Sequence, residues 1–150
     1  MTNKIKKLFV IHNPVSGSRN KARMTKALKL LERAGCAVTI ATTQRAGHAE
    51  DLAAEATTGN QEWSAIVAAG GDGTISEVAN GLRGRSVPLG VIPLGTANVF
   101  AREIGVGTRL RTVVSVLSNA SPVPIYPGLI GRRRFLLMVG AGYDSLAVSG

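Results

Sequence analysis

The chain has 150 residues, of which 45% are hydrophobic and 18% are charged, a mixture typical of a folded globular domain and not of a disordered tail. Only 4% of the residues are aromatic, which argues against a stacking platform for single-stranded nucleic acid. The single cysteine, Cys36, excludes an internal disulfide bond, and with two histidines it provides too few ligands for a zinc site. We therefore expect a reducing, cytoplasmic compartment, and no apolar stretch approaches the ~20 residues that span a bilayer.

The formal net charge is +9, and the charges are unevenly distributed along the chain. Residues 1–33 contain nine basic side chains and one acid, whereas six of the nine acids lie between Glu50 and Glu77. Such a basic excess is compatible with a solvated face, with phosphorylated ligands, with an anionic membrane or with nucleic acid. We disfavour nucleic acid because the sequence has neither a helix-turn-helix pattern nor an aromatic signature.

The first two thirds of the chain alternates short apolar runs with helical patterns. Strands are predicted at residues 7–12, 36–42, 63–69 and 89–92. Helices are predicted at residues 20–34, after Gly47, after a turn at 70–74, from a turn at 93–98 to about Glu103, and around residues 110–117. This alternation predicts an α/β fold in which a parallel sheet carries helices on both faces.

The first predicted helix is amphipathic, and Gly35 is expected to end it. Its apolar side chains recur at helical spacing from Met24 to Leu31. The opposite face carries five basic side chains that we expect to be solvated, namely Arg19, Arg23, Lys26, Lys29 and Arg33.

The pattern changes after Ser118, where three prolines fall within residues 121–127. The next residues predict a hairpin whose strands, at 125–130 and 135–139, flank a basic turn at 131–134. We therefore predict an α/β domain over residues 1–120. Residues 121–150 are predicted to begin a second, β-rich domain that this chain does not complete.

The strongest candidate site is Gly70-Gly71-Asp72-Gly73-Thr74, which follows a buried strand and precedes a helix. Parallel sheets bind ligands at that edge, where glycines let phosphate oxygens approach the backbone and the helix N-terminus offers free N–H groups. A carboxylate beside phosphates requires a cation between them, so Asp72 suggests Mg²⁺ carried by a nucleotide. The structural alternative is a turn at Asp72 followed by a capping box from Thr74 to Glu77.

Two further loops occupy the same position after strands, at residues 13–17 and 93–98. Each alone resembles an ordinary capped turn, but three such loops at one sheet edge predict a composite nucleotide site. Other motifs fail, because there is no Walker lysine and the glycine-rich segments lack the third glycine of a dinucleotide fingerprint. We expect His12 in the core and His48 on the surface, and neither has triad partners.

Five segments in order resemble the catalytic domain of the diacylglycerol kinase family, which bacterial lipid kinases and sphingosine kinases share. They are NPVSG, TQRAGHA, GGDGTISEVANGL, LGVIPLGTANVFAREIG and the GAGYDS piece near the end. The resemblance implies a nucleotide domain like those of phosphofructokinases and NAD kinases, and an ATP-dependent kinase that phosphorylates a lipid hydroxyl. It also implies that Asp72 is the essential aspartate acting on Mg·ATP. It assigns nucleotide contacts to Asn13, Pro14, Val15, Ser16, Gly17, Thr43, Gly70, Gly71, Asp72, Gly73, Thr74, Ile75, Ser76, Glu77, Gly95, Thr96 and Asn98.

The chain departs from the family pattern in two ways. Val99 stands where many members have aspartate, and the β-rich domain that supplies the lipid pocket, further metal ligands and the general base is not in this sequence. Two alternatives stay open: a related kinase with a soluble acceptor such as NAD, and an ATP-binding module without catalysis. The expected partners are ATP and a lipid, with peripheral contact to an anionic inner membrane surface, no nucleic acid, and a homodimer left open.

Overall fold

A computed structural model describes residues 4–15 and 18–137. The strands are β1 (Lys7–His12), β2 (Ala37–Thr42), β3 (Ala65–Gly70), β4 (Leu89–Pro93), β5 (Gly128–Ile130) and β6 (Arg133–Phe135). The helices are α1 (Ser18–Arg33), α2 (His48–Ala56), α3 (Asp72–Gly81), α4 (Val99–Glu103) and α5 (Leu110–Asn119). None of these helices is long and apolar enough to cross a membrane.

Strands β1 to β4 form one parallel sheet in the order β2-β1-β3-β4, and β5 and β6 form a separate antiparallel hairpin. The predicted α/β fold is confirmed. The central strand β3 is buried along nearly its whole length, as its uninterrupted apolar sequence AIVAAG requires. Because the strands are parallel, the loops that follow them all emerge at one edge of the sheet.

The core has one layer on each face of the sheet, because successive strand residues point to opposite sides. On one face, Leu8 and Val10 of β1 pack with α1 and α5, which contribute Leu31 and Val113. On the other face, α2, α3 and α4 cover β1, β3 and β4; Ile75, Val78 and Phe100 are among the buried side chains there.

The predicted bounds of α1, β2, β3 and β4 differ from the observed ones by one or two residues, and two other regions differ more. Helix α3 begins at Asp72, inside the segment predicted as a turn, because Ile75 N–H already donates to Gly71 O at 3.2 Å. The hairpin turn is two residues long instead of four, with a positive φ of 58° at Gly131, so β6 begins at Arg133, two residues earlier than predicted. Strand β5 begins only at Gly128, three residues later than predicted. Residues 138–139 of the predicted second hairpin strand lie outside the described residues.

The hairpin is attached to α3 through one buried amide. Asn80 Nδ2 donates to Arg134 O at 3.0 Å, and Arg134 N–H donates to Asn80 Oδ1 at 2.8 Å. The Asn80 side chain therefore takes the place of a neighbouring strand for β6. An ion pair of 3.0 Å between Arg133 and Glu50 of α2 adds a second contact. The division into domains at residue 120 stays a prediction.

Candidate nucleotide-binding site

The loops after β1 and β3 meet where the strand order reverses, the position at which open α/β sheets bind ligands. Asn13 N–H donates to Ala69 O at 2.9 Å, which joins the two strand ends. The Asn13 side chain donates to Thr74 Oγ1 at 3.2 Å, and its Oδ1 accepts from Val15 N–H at 3.1 Å. One amide thus orients both the loop after β1 and a hydroxyl in the first turn of α3.

The loops after β3 and β4 lie against each other, backbone to backbone. A Cβ on Gly95 would lie 2.6 Å from Gly71 Cα, so only glycine fits at this crossing. Asn98 closes the second loop on itself: its Oδ1 accepts from Gly95 N–H at 2.8 Å, and its Nδ2 donates to Gly95 O at 2.7 Å. Asn98 has a positive φ of 50°, a conformation that asparagine tolerates better than most residues.

The Asp72 carboxylate joins these two loops. Its Oδ2 accepts from Val99 N–H and its Oδ1 from Phe100 N–H, both at 3.0 Å, so it caps the N-terminus of α4. Asp72 is half-buried, and each of its oxygens keeps a second lone pair for another partner. The carboxylate therefore holds the loop after β4 in place and still faces the sheet edge.

Glu77 caps a different helix from the one in which it lies. Its two carboxylate oxygens accept from Gly47 N–H at 2.9 Å and Ala49 N–H at 3.2 Å, at the start of α2. The capping box between Thr74 and Glu77 is therefore wrong, because Glu77 turns outward to the helix that packs beside its own. Through this contact Glu77 holds the loop after β2 against α3.

Gly73 is the position in the site with unobstructed space beside the backbone. A Cβ built on Gly73 would meet nothing within 4 Å, and the residue is exposed in the first turn of α3. The N–H groups of that turn have no partner within the helix, because Ile75 is the first residue to donate to a backbone carbonyl four residues back. Free N–H groups and unobstructed space at a helix N-terminus together favour an anion such as phosphate.

The remaining predicted site residues differ in how much they offer to a ligand. Pro14, Val15 and Thr96 are exposed on their loops, Ser76 is half-buried, and Gly70 packs against the Thr74 side chain. Thr43 is 8% exposed and its N–H donates to His12 O, so its side chain is largely enclosed. Ile75 is fully buried in the core. Ser16 and Gly17, and the GAGYDS piece, lie outside the described residues.

Arg23 does not lie on the solvated face of α1, where the sequence predicts it. The Arg23 guanidinium is half-buried and donates to Pro93 O, at the end of β4, at 3.2 Å, and to Thr108 O. Burial lowers the pKa of Arg23. Arg23 lies at the border of the apolar stripe, one residue before buried Met24, and this position was the only signal of its inward direction.

The two histidines also differ from expectation. His12 is half-buried at the end of β1 rather than enclosed in the core, and this partial burial lowers its pKa. His48 is half-buried rather than exposed, because its Nδ1 accepts from Gln44 N–H at 3.0 Å. In the part of the chain that the structure describes, no three of the His, Cys, Asp and Glu side chains cluster as a metal site.

Comparisons with known proteins identify a family for this chain. The family model of the diacylglycerol kinase catalytic domain matches residues 7–129. A diacylglycerol kinase of Bacillus subtilis (strain 168) is 37% identical over 142 residues, which are 92% of this chain and 46% of that relative. One from Staphylococcus saprophyticus is 31% identical over 140 residues, covering 91% of this chain and 45% of that relative.

Among solved structures, the crystal structure of a diacylglycerol kinase from Bacillus anthracis str. Sterne matches with a TM-score of 0.76 and 29% identity. The match covers 89% of this chain and 46% of that one. The chain thus spans about half the length of the curated relatives it matches. The resemblance seen in the sequence is confirmed, and the chain belongs to the diacylglycerol kinase catalytic domain family.

Proposed function

We propose that this chain is the nucleotide-binding part of a kinase that transfers the γ-phosphoryl group of ATP to a lipid hydroxyl. The observation that carries the proposal is the first turn of α3, where free N–H groups and open space at Gly73 lie between two loops fixed by hydrogen bonds. Phosphoryl transfer depends chiefly on positioning and charge neutralisation, and this arrangement is suited to both.

In this proposal the chain's own residues bind and orient the nucleotide. The N–H groups around Gly73 donate to phosphate oxygens. The Thr74 side chain is buried and accepts from Asn13, so it supports the first turn of α3 that presents these groups. The backbones of Gly71 and Gly95 cross without side chains between them, so the backbone itself can contact the phosphates.

Asp72 fits the role of a protein ligand to Mg²⁺ that arrives with the nucleotide. Mg²⁺ is commonly bound by one or two carboxylates and completes its coordination shell with phosphate oxygens and water. A single half-buried carboxylate beside the first turn of α3 is therefore enough to bind the ion. When bound, the ion neutralises phosphate charge. Without it, Asp72 repels the same phosphates.

The acceptor is proposed to be a diacylglycerol-like or sphingoid lipid, because the relatives that match most of this chain are named diacylglycerol kinases. Asp72 and Glu77 both accept backbone N–H bonds as helix caps, so we propose that neither is the general base on the acceptor hydroxyl. We propose that the role falls to the β-rich domain that the family resemblance implies.

The role of Asp72 is tested by calorimetric titration of ATP with and without Mg²⁺. Asp72→Asn removes the charge and keeps one carbonyl acceptor for the α4 cap. We expect the variant to bind Mg·ATP more weakly, and metal-free ATP as well as or better than the unchanged chain does, because the repulsion is gone. Circular dichroism checks that it folds. Equal losses for both forms of ATP would contradict the metal role.

The acceptor class is tested with the full-length protein. Radiolabelled ATP is supplied with diacylglycerol or sphingosine in detergent micelles, or with NAD. We expect label on a lipid. Label on NAD alone would establish the soluble acceptor instead, and nucleotide binding without label on any acceptor would favour the non-catalytic alternative.

A further inference from the structure

Helix α3 connects the candidate nucleotide site to the hairpin formed by β5 and β6. Its first turn, at Gly73, lies at the site, and its last turn, at Asn80, is bonded to β6. The two residues are seven positions apart, so about 10 Å of regular helix separates them. Two turns of helix therefore fix where the hairpin lies relative to the N–H groups proposed to bind phosphate.

The Asn80 side chain has little freedom to turn, because three hydrogen bonds hold a residue that is only 8% exposed. Its Nδ2 donates to Ser76 O of its own helix at 2.9 Å and to Arg134 O of β6 at 3.0 Å. Its Oδ1 accepts from Arg134 N–H at 2.8 Å. Both Nδ2 protons are thus used, and a single amide is fixed by the helix and by the strand together.

Two further contacts hold the hairpin on α2 and α3. Arg83, which follows α3, donates to Arg132 O in the hairpin turn, and Arg133 pairs with Glu50 of α2 at 3.0 Å. The two helices themselves are in close contact, because a Cβ on Gly81 would overlap Glu50 O. The hairpin, α2 and α3 therefore form one packed unit.

We propose that Asn80 is a positioning residue, which aligns the acceptor part of the protein with the phosphates bound at the first turn of α3. The inference rests on the proposed function, in which the β-rich domain after the hairpin supplies the general base. Asn80 lies too far from Gly73 to touch the phosphates and acts through α3 and β6. Such a role affects the rate, because a misplacement of about 1 Å between reacting groups costs about a hundredfold.

The inference is tested in the full-length protein with Asn80→Asp, which keeps the size of the side chain and the acceptor for Arg134 N–H. The substitution replaces the Nδ2 donor by an oxygen that faces Ser76 O and Arg134 O, so β6 is repelled. The contacts of Asn13 and Asp72 at the first turn do not involve Asn80. We expect kcat per nucleotide site to fall about tenfold to a hundredfold, while KM for Mg·ATP stays within about twofold.

Asn119→Asp is the matched control, because Asn119 is exposed at the end of α5, which covers the other face of the sheet. We expect it to keep both constants within about twofold. Calorimetric titration with Mg·ATP counts the folded sites, so a variant that only unfolds loses sites and not rate per site. A kcat per site in Asn80→Asp equal to that of the control would overturn the inference. A rise in KM for Mg·ATP without a fall in kcat would also overturn it.

The ion pair between Glu50 and Arg133 provides a second test at the surface, where folding is less at risk. Arg133→Glu places two carboxylates side by side and is expected to lower kcat by about twofold to fivefold at unchanged KM for Mg·ATP. Glu50→Arg/Arg133→Glu restores opposite charges and is expected to recover the lost rate. No recovery in this double variant would contradict the alignment through the hairpin.

The failure of this inference is distinguishable from the failure of the proposed function. If the unsubstituted full-length protein transfers no phosphate to any acceptor, the proposed function is wrong and the inference fails with it. If that protein is active and the hairpin variants are equally active, only the inference is wrong.

Discussion

Gly73→Ala separates the stability of the fold from its capacity to bind a nucleotide. The added methyl group enters space with no atom within 4 Å, and φ at Gly73 is not in the left-handed region, so the folded chain accepts it without strain. Replacing glycine by alanine at a compatible position restricts the unfolded chain and stabilises a protein by about 0.4–1 kcal/mol. The variant is therefore expected to be as stable as the unchanged chain or slightly more stable.

The same methyl group occupies the place proposed for a phosphate oxygen. A phosphate held off the first turn of α3 loses one or two hydrogen bonds of the charged class, each contributing about 1.5–3 kcal/mol. Loss of one such bond corresponds to a weakening of Mg·ATP binding by roughly tenfold to a hundredfold. Few substitutions are expected to raise the stability of a protein and at the same time weaken its ligand binding this much. The combination of the two effects is therefore a specific test.

Calorimetry measures the affinity and urea unfolding measures the stability. Gly59→Ala is the matched control, because Gly59 is exposed in the loop between α2 and β3, at the opposite edge of the sheet, and a Cβ there makes only an ordinary contact at 4.0 Å. The control is expected to leave affinity unchanged. Unchanged Mg·ATP affinity in Gly73→Ala would refute the placement of phosphate at this turn.

Three further substitutions test the contacts that build the site. Glu77→Ala removes both caps of α2 and is expected to lower the free energy of unfolding in urea by about 1–3 kcal/mol, whereas exposed Glu103→Ala is expected to stay within about 0.5 kcal/mol. Equal effects would mean that the caps contribute nothing. Arg23→Met keeps an apolar stem but leaves two backbone carbonyls without their donor, so urea unfolding is expected to show a loss of about 1–3 kcal/mol that Lys26→Met does not show. Burial lowers the pKa of His12, so the unfolded chain takes up a proton more readily and stability falls as the pH drops below the ordinary histidine range of about 6.5. Urea midpoints measured from neutral pH to about pH 5 are expected to fall less steeply in His12→Gln, and identical slopes would contradict this cause.

The regular part of the fold is predictable from the sequence because it depends on local patterns. The apolar run at residues 7–12 predicts β1 with its observed bounds, and the helical spacing from Met24 to Leu31 predicts the buried face of α1. The end of α1 at Arg33 follows from Gly35 two residues later, whose positive φ of 82° glycine adopts without strain. These features need no knowledge of distant partners.

The contacts that shape the site are less predictable because they join residues far apart in the chain. Asp72 caps a helix 27 residues further on, and Glu77 caps α2 through Gly47, which lies 30 residues before it. A capping box between Thr74 and Glu77 is the natural local interpretation, and only tertiary packing shows that α2 offers Glu77 a better partner. Asn80, which anchors the hairpin through a contact over 54 residues, carried no local signal at all.

The charge on α1 shows the same limit. The sequence identifies the basic stripe, but whether a given cation faces water depends on what packs beside the helix. Arg23 turns inward because the end of β4 and the loop before α5 present carbonyl oxygens there. Lys26 and Lys29 meet no such acceptor and remain exposed.

The central claim is that the sheet edge around the first turn of α3 binds Mg·ATP, and an amide-resolved NMR titration of this chain tests it most directly. We expect saturable shifts concentrated at the amides of Gly71, Gly73 and Thr74 and of the facing loop at Gly95, with little change at the opposite edge around Gly59. Shifts that cluster away from this edge, or no saturable shift in a folded chain, would contradict nucleotide binding at this site.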